Sequence, residues 1–224
     1  GLLACVQAAM GLEERLASVS GADGRSREAR WLYDPGERRA WIETAEIIPL
    51  HEVGIDGVGR ATSRGVGEAI GIAAAHGAEH ISLGIGGTGT VDGGAGCLIG
   101  LGAVLRDVDG QPIDPGSSRL ADVRSVEFEG AGLPEIELLC DVRSPMVGPR
   151  GSARLYGPQK GLDEEAVARV ERAMGSWCRT LVSSFEYDPS DLAFAGAGGG
   201  ISGALMAACG AVPRSGIELL AERL

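Results

Sequence analysis

The sequence predicts a mixed α/β fold, a central sheet flanked by helices with an antiparallel β-meander near the N-terminus. Three observations carry that expectation. An apolar run, Ile81-Ser82-Leu83-Gly84-Ile85, leads into a glycine-rich stretch ending at Gly96 and then into a helical pattern. Three short alternating segments follow one another between residues 16 and 45, separated by turn clusters. After Asp163, apolar residues recur at alternating spacings of three and four, the pattern of a long amphipathic helix.

Taken in order, residues from about Leu2 to Ala9 read as a short helix. Leu16–Ser20, Ala29–Tyr33 and Arg39–Ala45 read as three strands, with Gly21–Gly24 and Asp34–Glu37 as the turns between them. Their role reads as structural, a lid or a docking face. Thr62-Ser63 reads as the cap of a helix from Gly65 to His76. Ile81–Ile85 reads as a short buried strand, and Ala95, Leu98, Ile99, Leu101 and Gly102 as one buried helical face. Val123–Glu129 and Glu135–Val142 have strand character, the second delivering Asp141 at its C-terminal end. Asp163 is placed to cap the long helix, whose stripe is Val167, Val170, Met174, Trp177 and Leu181. These read as core, not as a cofactor box. Ala195–Gly200 opens a last helix, Ile201–Cys209, which Gly210 ends. The chain starts at Gly1 in one helical pattern and breaks off in another, so an excerpt of a longer protein is expected.

Composition narrows the function. Thirty-seven glycines in 224 residues are about twice the usual share, so many loops need unusual backbone geometry. With 44% hydrophobic residues and no repeating period, collagen and disorder are excluded. A formal charge of −11 opposes a nucleic acid as partner. It does not oppose a nucleotide, whose charge is met locally. No signal peptide or membrane span is read. Cys5, Cys97, Cys140, Cys178 and Cys209 are scattered among apolar neighbours without a CxxC pair, which suggests reduced, buried thiols and a cytoplasmic protein.

Strand, glycine loop and helix start together aim backbone N–H groups and a positive helix end at an anion. Thr88 and Thr90 add hydroxyl donors and Asp92 one carboxylate. The loop is neither a P-loop nor a clean GxGxxG. A tight structural turn and an anion site both remain open on these residues alone. Thr62-Ser63 and the glycines beside it make a second candidate anion site, with Arg64 able to hold a carboxylate or phosphate. The glycines from Gly196 make a third. Lys160, on a loop just before a helix start, suits neutralisation of a transferring phosphoryl group. Asp141 at a strand end suits magnesium or catalysis. His76 and His80 lack a third ligand for a metal, and Asp107–Gly110 reads as solvated turn chemistry.

The loop resembles the Gly-Gly-Ser-Ala-Thr-Asn-Asp-Gly-Gly-Ala-Gly signature of bacterial type I glycerate kinases. Thr62-Ser63-Arg64-Gly65-Val66-Gly67-Glu68 is similar to that family's Thr-Ser-x-Gly-Thr-Gly-Glu, and Cys140–Gly148 to its Cys-Asp-Val-Thr-Asn-Pro-Leu-x-Gly. Tyr156–Gly161 and the glycines from Gly196 to Gly203 follow in the same order. The resemblance implies one domain over residues 1–224, similar to the family's inserted second, substrate- and phosphate-binding domain. A nucleotide-fold first domain would lie mostly outside the chain. It implies ATP-dependent phosphorylation of D-glycerate to 2-phosphoglycerate with Mg²⁺. Asp92, Asp141 and Lys160 would be catalytic, with Asp141 on the metal. Arg64, Gly65, Gly86, Gly87, Thr88, Thr90, Gly93, Gly198 and Gly199 would hold substrate or phosphate. Glu43, in a segment similar to the family's Ile-Glu-Met-Ala, is either a substrate contact or a solvated strand carboxylate.

Departures point the other way. Val91 stands where the family has Asn, and Arg143-Ser144 where it has Thr-Asn. The family's N-terminal Lys-bearing strand and its C-terminal Gly-Glu-Gly motif do not occur in these residues. They make a catalytically degenerate member, acting as a binding or interaction domain, the rival expectation. A nicotinamide-dependent oxidoreductase would need an acid about 20 residues past the loop at a strand end. Asp114 lies instead in a Pro- and Gly-rich loop.

Overall fold

A computed structural model describes residues 1–53, 57 and 59–223. Eight strands and eight α-helices are seen among them. The first is helix α1 (Leu2–Met10), ended by Gly11 in the left-handed conformation at φ 60°. Strands β1 (Glu13–Ser20), β2 (Ser26–Asp34) and β3 (Arg39–Glu43) form the expected antiparallel meander. It is not a separate excursion, because β3 also pairs in parallel with β4 (His80–Gly84). The meander is one half of the central sheet. In its other half β7 (Glu135–Leu139) and β8 (Val212–Arg214) continue the parallel pairing, giving the order β1-β2-β3-β4-β7-β8. Strands β5 (Val104–Arg106) and β6 (Ser125–Glu127) pair separately as a small antiparallel ribbon.

Alternation along β3 shows how the two faces are used. Ala40 and Ile42 enter the main core, which they share with Val66 and Ile70 of α3 (Arg64–Ala75), Leu98 of α4 (Ala95–Gly100), Trp177 of α6 (Glu164–Phe185) and Leu205 of α7 (Ile201–Cys209). Trp41 points to the opposite face, under Leu3 and Val6 of α1 and Leu219 of α8 (Gly216–Arg223). Along that same face Glu137 on β7 sits between Arg39, which also donates to Ser82 Oγ at 2.8 Å, and Arg214 at 3.0 Å. Charge placed in a row within a sheet face is matched there group by group.

Helix α6 follows the sequence pattern closely. Asp163 Oδ1 accepts from Ala166 N at 2.8 Å, and Val167, Val170, Met174, Trp177 and Leu181 are buried. Helices α3 and α4 cross where only glycine fits, since a Cβ on Gly67 would run into the Cys97 carbonyl and one on Gly100 into that of Arg64. Cys97, Cys140 and Cys178 are buried free thiols, Cys209 is half-buried, and Cys5 is exposed, contrary to the expectation for all five. Burial pushes the Cys140 thiol up to about 11 and those of Cys178 and Cys209 to about 12. Among the described residues no helix is long and apolar enough to cross a membrane.

Candidate active site

The glycine loop after β4 has two halves. Gly86 and Gly87 are exposed, whereas residues 88–98 are buried. The inner half is organised by Asp92, which is 0% exposed. Its carboxylate accepts from Ser63 N (2.7 Å), Ser63 Oγ (2.8 Å), Thr90 Oγ1 (3.2 Å), Gly94 N (3.2 Å) and Gly96 N (3.2 Å). Two helix starts, those of α3 and α4, therefore converge on one anion, and that anion belongs to the protein. Burial pushes the Asp92 carboxyl above its ordinary range, and the bonds from Ser63, Gly94 and Thr90 pull it back. Three of the donors are main-chain N–H groups that cannot accept a proton, so the ionised form is the one this nest fits.

The α7 start joins from the other side through backbone packing. Gly93 N donates to Gly199 O at 3.0 Å, and a Cβ on Gly94 would strike the Cα of Ile201. Gly199, at φ 71°, lies against the Thr90 carbonyl. Trp177 Nε1 donates to Gly93 O at 2.8 Å and closes the cluster from α6. Sequence reasoning read Trp177 only as core, because nothing in a one-dimensional pattern shows where an indole N–H points.

Lys160 lies in a short 3₁₀ turn, Pro158–Lys160, only 5% exposed. Its Nζ donates to Thr90 O at 2.5 Å. Burial lowers its pKa to about 8, with the nearby Asp92 charge pulling the other way. Ser63 was expected as an ordinary N-cap. Its hydroxyl makes no cap bond to its own helix and instead links Asp92 to Cys97 N, from which it accepts at 2.9 Å.

Other expected residues stand apart from this nest. The Arg64 guanidinium faces Glu68 and Asp114, each at 3.3 Å. Gly65 is a packing glycine whose Cβ would meet the Ser20 carbonyl. Thr88 is buried and bridges to Pro49, and Gly198, at φ 64°, lies beside Ile85. Val91 is fully buried in the main core, so the apolar residue there is what its surroundings require.

Asp141 is exposed at the carboxyl end of β7, where Ser215 Oγ lies 3.3 Å from Oδ1. The ends of β3, β4 and β7 enclose a cleft of about 240 Å³ lined by Glu43, Gly84, Gly86 and Asp141. Of these carboxylates, Glu43 already accepts from Leu3 N at 3.2 Å and serves the α1 start. A second cleft, about 460 Å³, shares Asp141 and adds Arg143, Phe194, Ser215 and Glu218. Open parallel sheets bind ligands at this edge. The largest cleft described, about 670 Å³, lies elsewhere, between the β1–β2 turn and Gly57, Arg60 and Ala61. Two of its arginines, Arg25 and Arg27, are already paired with Asp23 and Glu52.

No group of three or more His, Cys, Asp or Glu suited to a metal occurs among the described residues. Magnesium is commonly held by one or two carboxylates together with substrate phosphates and water. Asp141 meets that requirement as a single exposed carboxylate.

Residues 1–224 match the glycerate kinase family over their whole length. The chain is 36% identical over 217 residues to glycerate 2-kinase of Escherichia coli (strain K12), covering 94% of this chain and 57% of that one. It is 34% identical over 191 residues to glycerate kinase of Bacillus subtilis (strain 168), covering 83% and 50%. A crystal structure of putative glycerate kinase 2 from Salmonella typhimurium LT2 superposes with a TM-score of 0.92 at 35% identity, over 98% of this chain and 61% of that one. The chain thus spans between half and about three-fifths of the length of these relatives. The match gives the expected first domain no support of its own. With the loop, the strand-end aspartate and the glycine-opened helices in their expected order, the chain belongs to the glycerate kinase family.

Proposed function

We propose that residues 1–224 form the substrate- and phosphate-binding domain of a glycerate kinase that transfers the γ-phosphoryl group of ATP to D-glycerate, giving 2-phosphoglycerate and ADP in the cytoplasm. One observation carries the reading beyond family membership. A Cβ on Gly86 would meet nothing within 4 Å, unlike one on Gly93, Gly94, Gly96 or Gly199. Packing inside the protein gives no reason for glycine at that position. An approaching ligand does, because a backbone without a Cβ lets phosphate oxygens come close to the chain.

In the reaction the 2-hydroxyl oxygen of glycerate forms the new P–O bond as the bond from the γ-phosphorus to the β–γ bridging oxygen breaks, and the hydroxyl proton is released to solvent. Such transfers ask for alignment and charge neutralisation more than for covalent help. Asp141 would hold Mg²⁺ brought in with ATP. The ion would neutralise charge on the phosphate oxygens. Gly86 and Gly87 are exposed nearby, and the Gly86 N–H donates to Thr44 Oγ1 at a long 3.4 Å, a weak bond that a phosphate oxygen would replace. Asp92 and Lys160 act as positioning residues: Asp92 anchors the α3 and α4 starts, and Lys160 holds the Thr90 carbonyl, so the outer loop keeps its shape.

The test is ADP release by the intact protein given ATP, Mg²⁺ and D-glycerate, with the product's phosphate placed by phosphorus NMR. Absence of ADP overturns the proposal. Asp141→Asn should lower kcat by about 100-fold and leave the thermal transition unmoved. The rival reading of a degenerate member rests on Val91, whose apolar side chain packs in the main core.

A further inference from the structure

The larger cleft at Asp141 has no part in the mechanism above, and its wall carries an unusual residue. Three non-glycine residues among those described have positive φ: Arg38 (50°), Glu186 (54°) and Phe194 (73°). Arg38 turns the chain between β2 and β3. Glu186 ends α6, its N–H donating to Val182 O at 2.9 Å, a common helix-closing role. Phe194 is a bulky aromatic, for which this conformation is a genuine outlier. Strained backbone of this kind gathers at ligand clamps and active sites.

What the strained backbone presents is specific. The Phe194 ring lies under the Arg143 guanidinium, 5.1 Å from ring centroid to Cζ. Arg143 makes no ion pair among the described residues and is exposed, so its planar cation remains available beside the ring. The cleft they border, about 460 Å³, falls in the range of small-molecule sites. Phe194 leads directly into the glycine run at 196, where Gly196 N donates to Ser144 O at 2.9 Å and ties it to the segment bearing Arg143. Across Asp141, the same cleft adjoins the smaller one over Gly86.

Resting on the kinase reading, we propose that this cleft takes the base and ribose of the nucleoside triphosphate. The base stacks on the Phe194–Arg143 pair, and the triphosphate passes Asp141 toward Gly86 and Gly87. A π-face and a guanidinium plane accept any base, so the contact contributes affinity with little choice between bases. Phe194 and Arg143 are then binding residues for the donor and have no contact with glycerate.

The test compares Mg-ATP with Mg-inorganic triphosphate, titrated into the intact protein and its variants. Phe194→Leu should weaken ATP on the order of tenfold, the effect of losing one stacked base, and leave inorganic triphosphate and the KM for D-glycerate within about twofold. Phe194→Trp should retain ATP binding. Arg143→Gln, on an exposed side chain, should weaken ATP in the same selective way and serves if Phe194→Leu does not fold. Unchanged ATP affinity in a folded variant, equal losses for ATP and triphosphate, or a loss that falls on D-glycerate would each overturn the inference. If wild-type protein releases ADP normally and the selectivity is missing, only this inference fails. If wild type neither binds ATP nor releases ADP, the kinase reading itself has failed, and the inference with it.

Discussion

The outer and inner halves of the glycine loop share a composition and differ in what the glycines are for. In the inner half each missing Cβ is filled by protein: Gly96 faces Thr62 and the Asp92 carboxylate, Gly93 faces the Trp177 indole, and Gly94 faces the α7 start. In the outer half Gly86 faces open space. A glycine-rich stretch thus holds two separable roles, one that lets three helix starts crowd together and one that leaves backbone bare. Helix starts need not gather around a ligand to be satisfied, since here a side-chain carboxylate does the work of a bound anion.

The comparison breaks most visibly at Asp92. Asp92→Asn would turn an NH₂ toward N–H donors that now share a carboxylate, and it should destabilise the protein by about 3–5 kcal/mol in urea unfolding. A smaller loss than 1 kcal/mol would mean the nest tolerates a neutral group. Lys160 sharpens the same region through pH. Its folded pKa, about 8, lies below the ordinary 10.5, so the unfolded chain binds more protons between those values. Stability of wild type relative to Lys160→Met should therefore rise as pH climbs from about 8 to 10.5, by about 3 kcal/mol, and stay level below that window. A flat difference would show the amine is not buried as described. Gly96→Ala, which forces a methyl against Thr62 and Asp92, should cost about 1–3 kcal/mol by thermal unfolding. Gly86→Ala should leave the melting temperature unmoved and raise the KM for ATP about tenfold. Equal stability losses at Gly86 and Gly96 would erase the distinction between the halves.

Much of this was legible in the chain itself. The α6 stripe and its Asp163 cap followed from spacing, because a helix packed on one side writes its period into the sequence. The three meander strands were legible for the same reason. Their place in the central sheet was not, since parallel pairing of β3 with β4 joins residues about forty positions apart and leaves no local mark. Asp92 and Lys160 were recognisable as important charged residues, yet their burial was not. Local sequence gives a carboxylate its neighbours along the chain, whereas Ser63, which supplies two of its five hydrogen bonds, comes from another helix start. The pairing of Arg64 with Asp114, which comes from a separate loop, likewise leaves no local mark in the sequence.

The hydrogen bond from the Trp177 indole to the Gly93 carbonyl has a practical consequence. Trp177 is completely enclosed and bonded to the loop itself, whereas Trp31 and Trp41 lie on the sheet. Any event that shifts the loop must alter the electrostatic surroundings of that chromophore. With the other two tryptophans replaced by phenylalanine, its emission would become an internal optical gauge of the loop, readable on the timescale of nucleotide addition and requiring no external label.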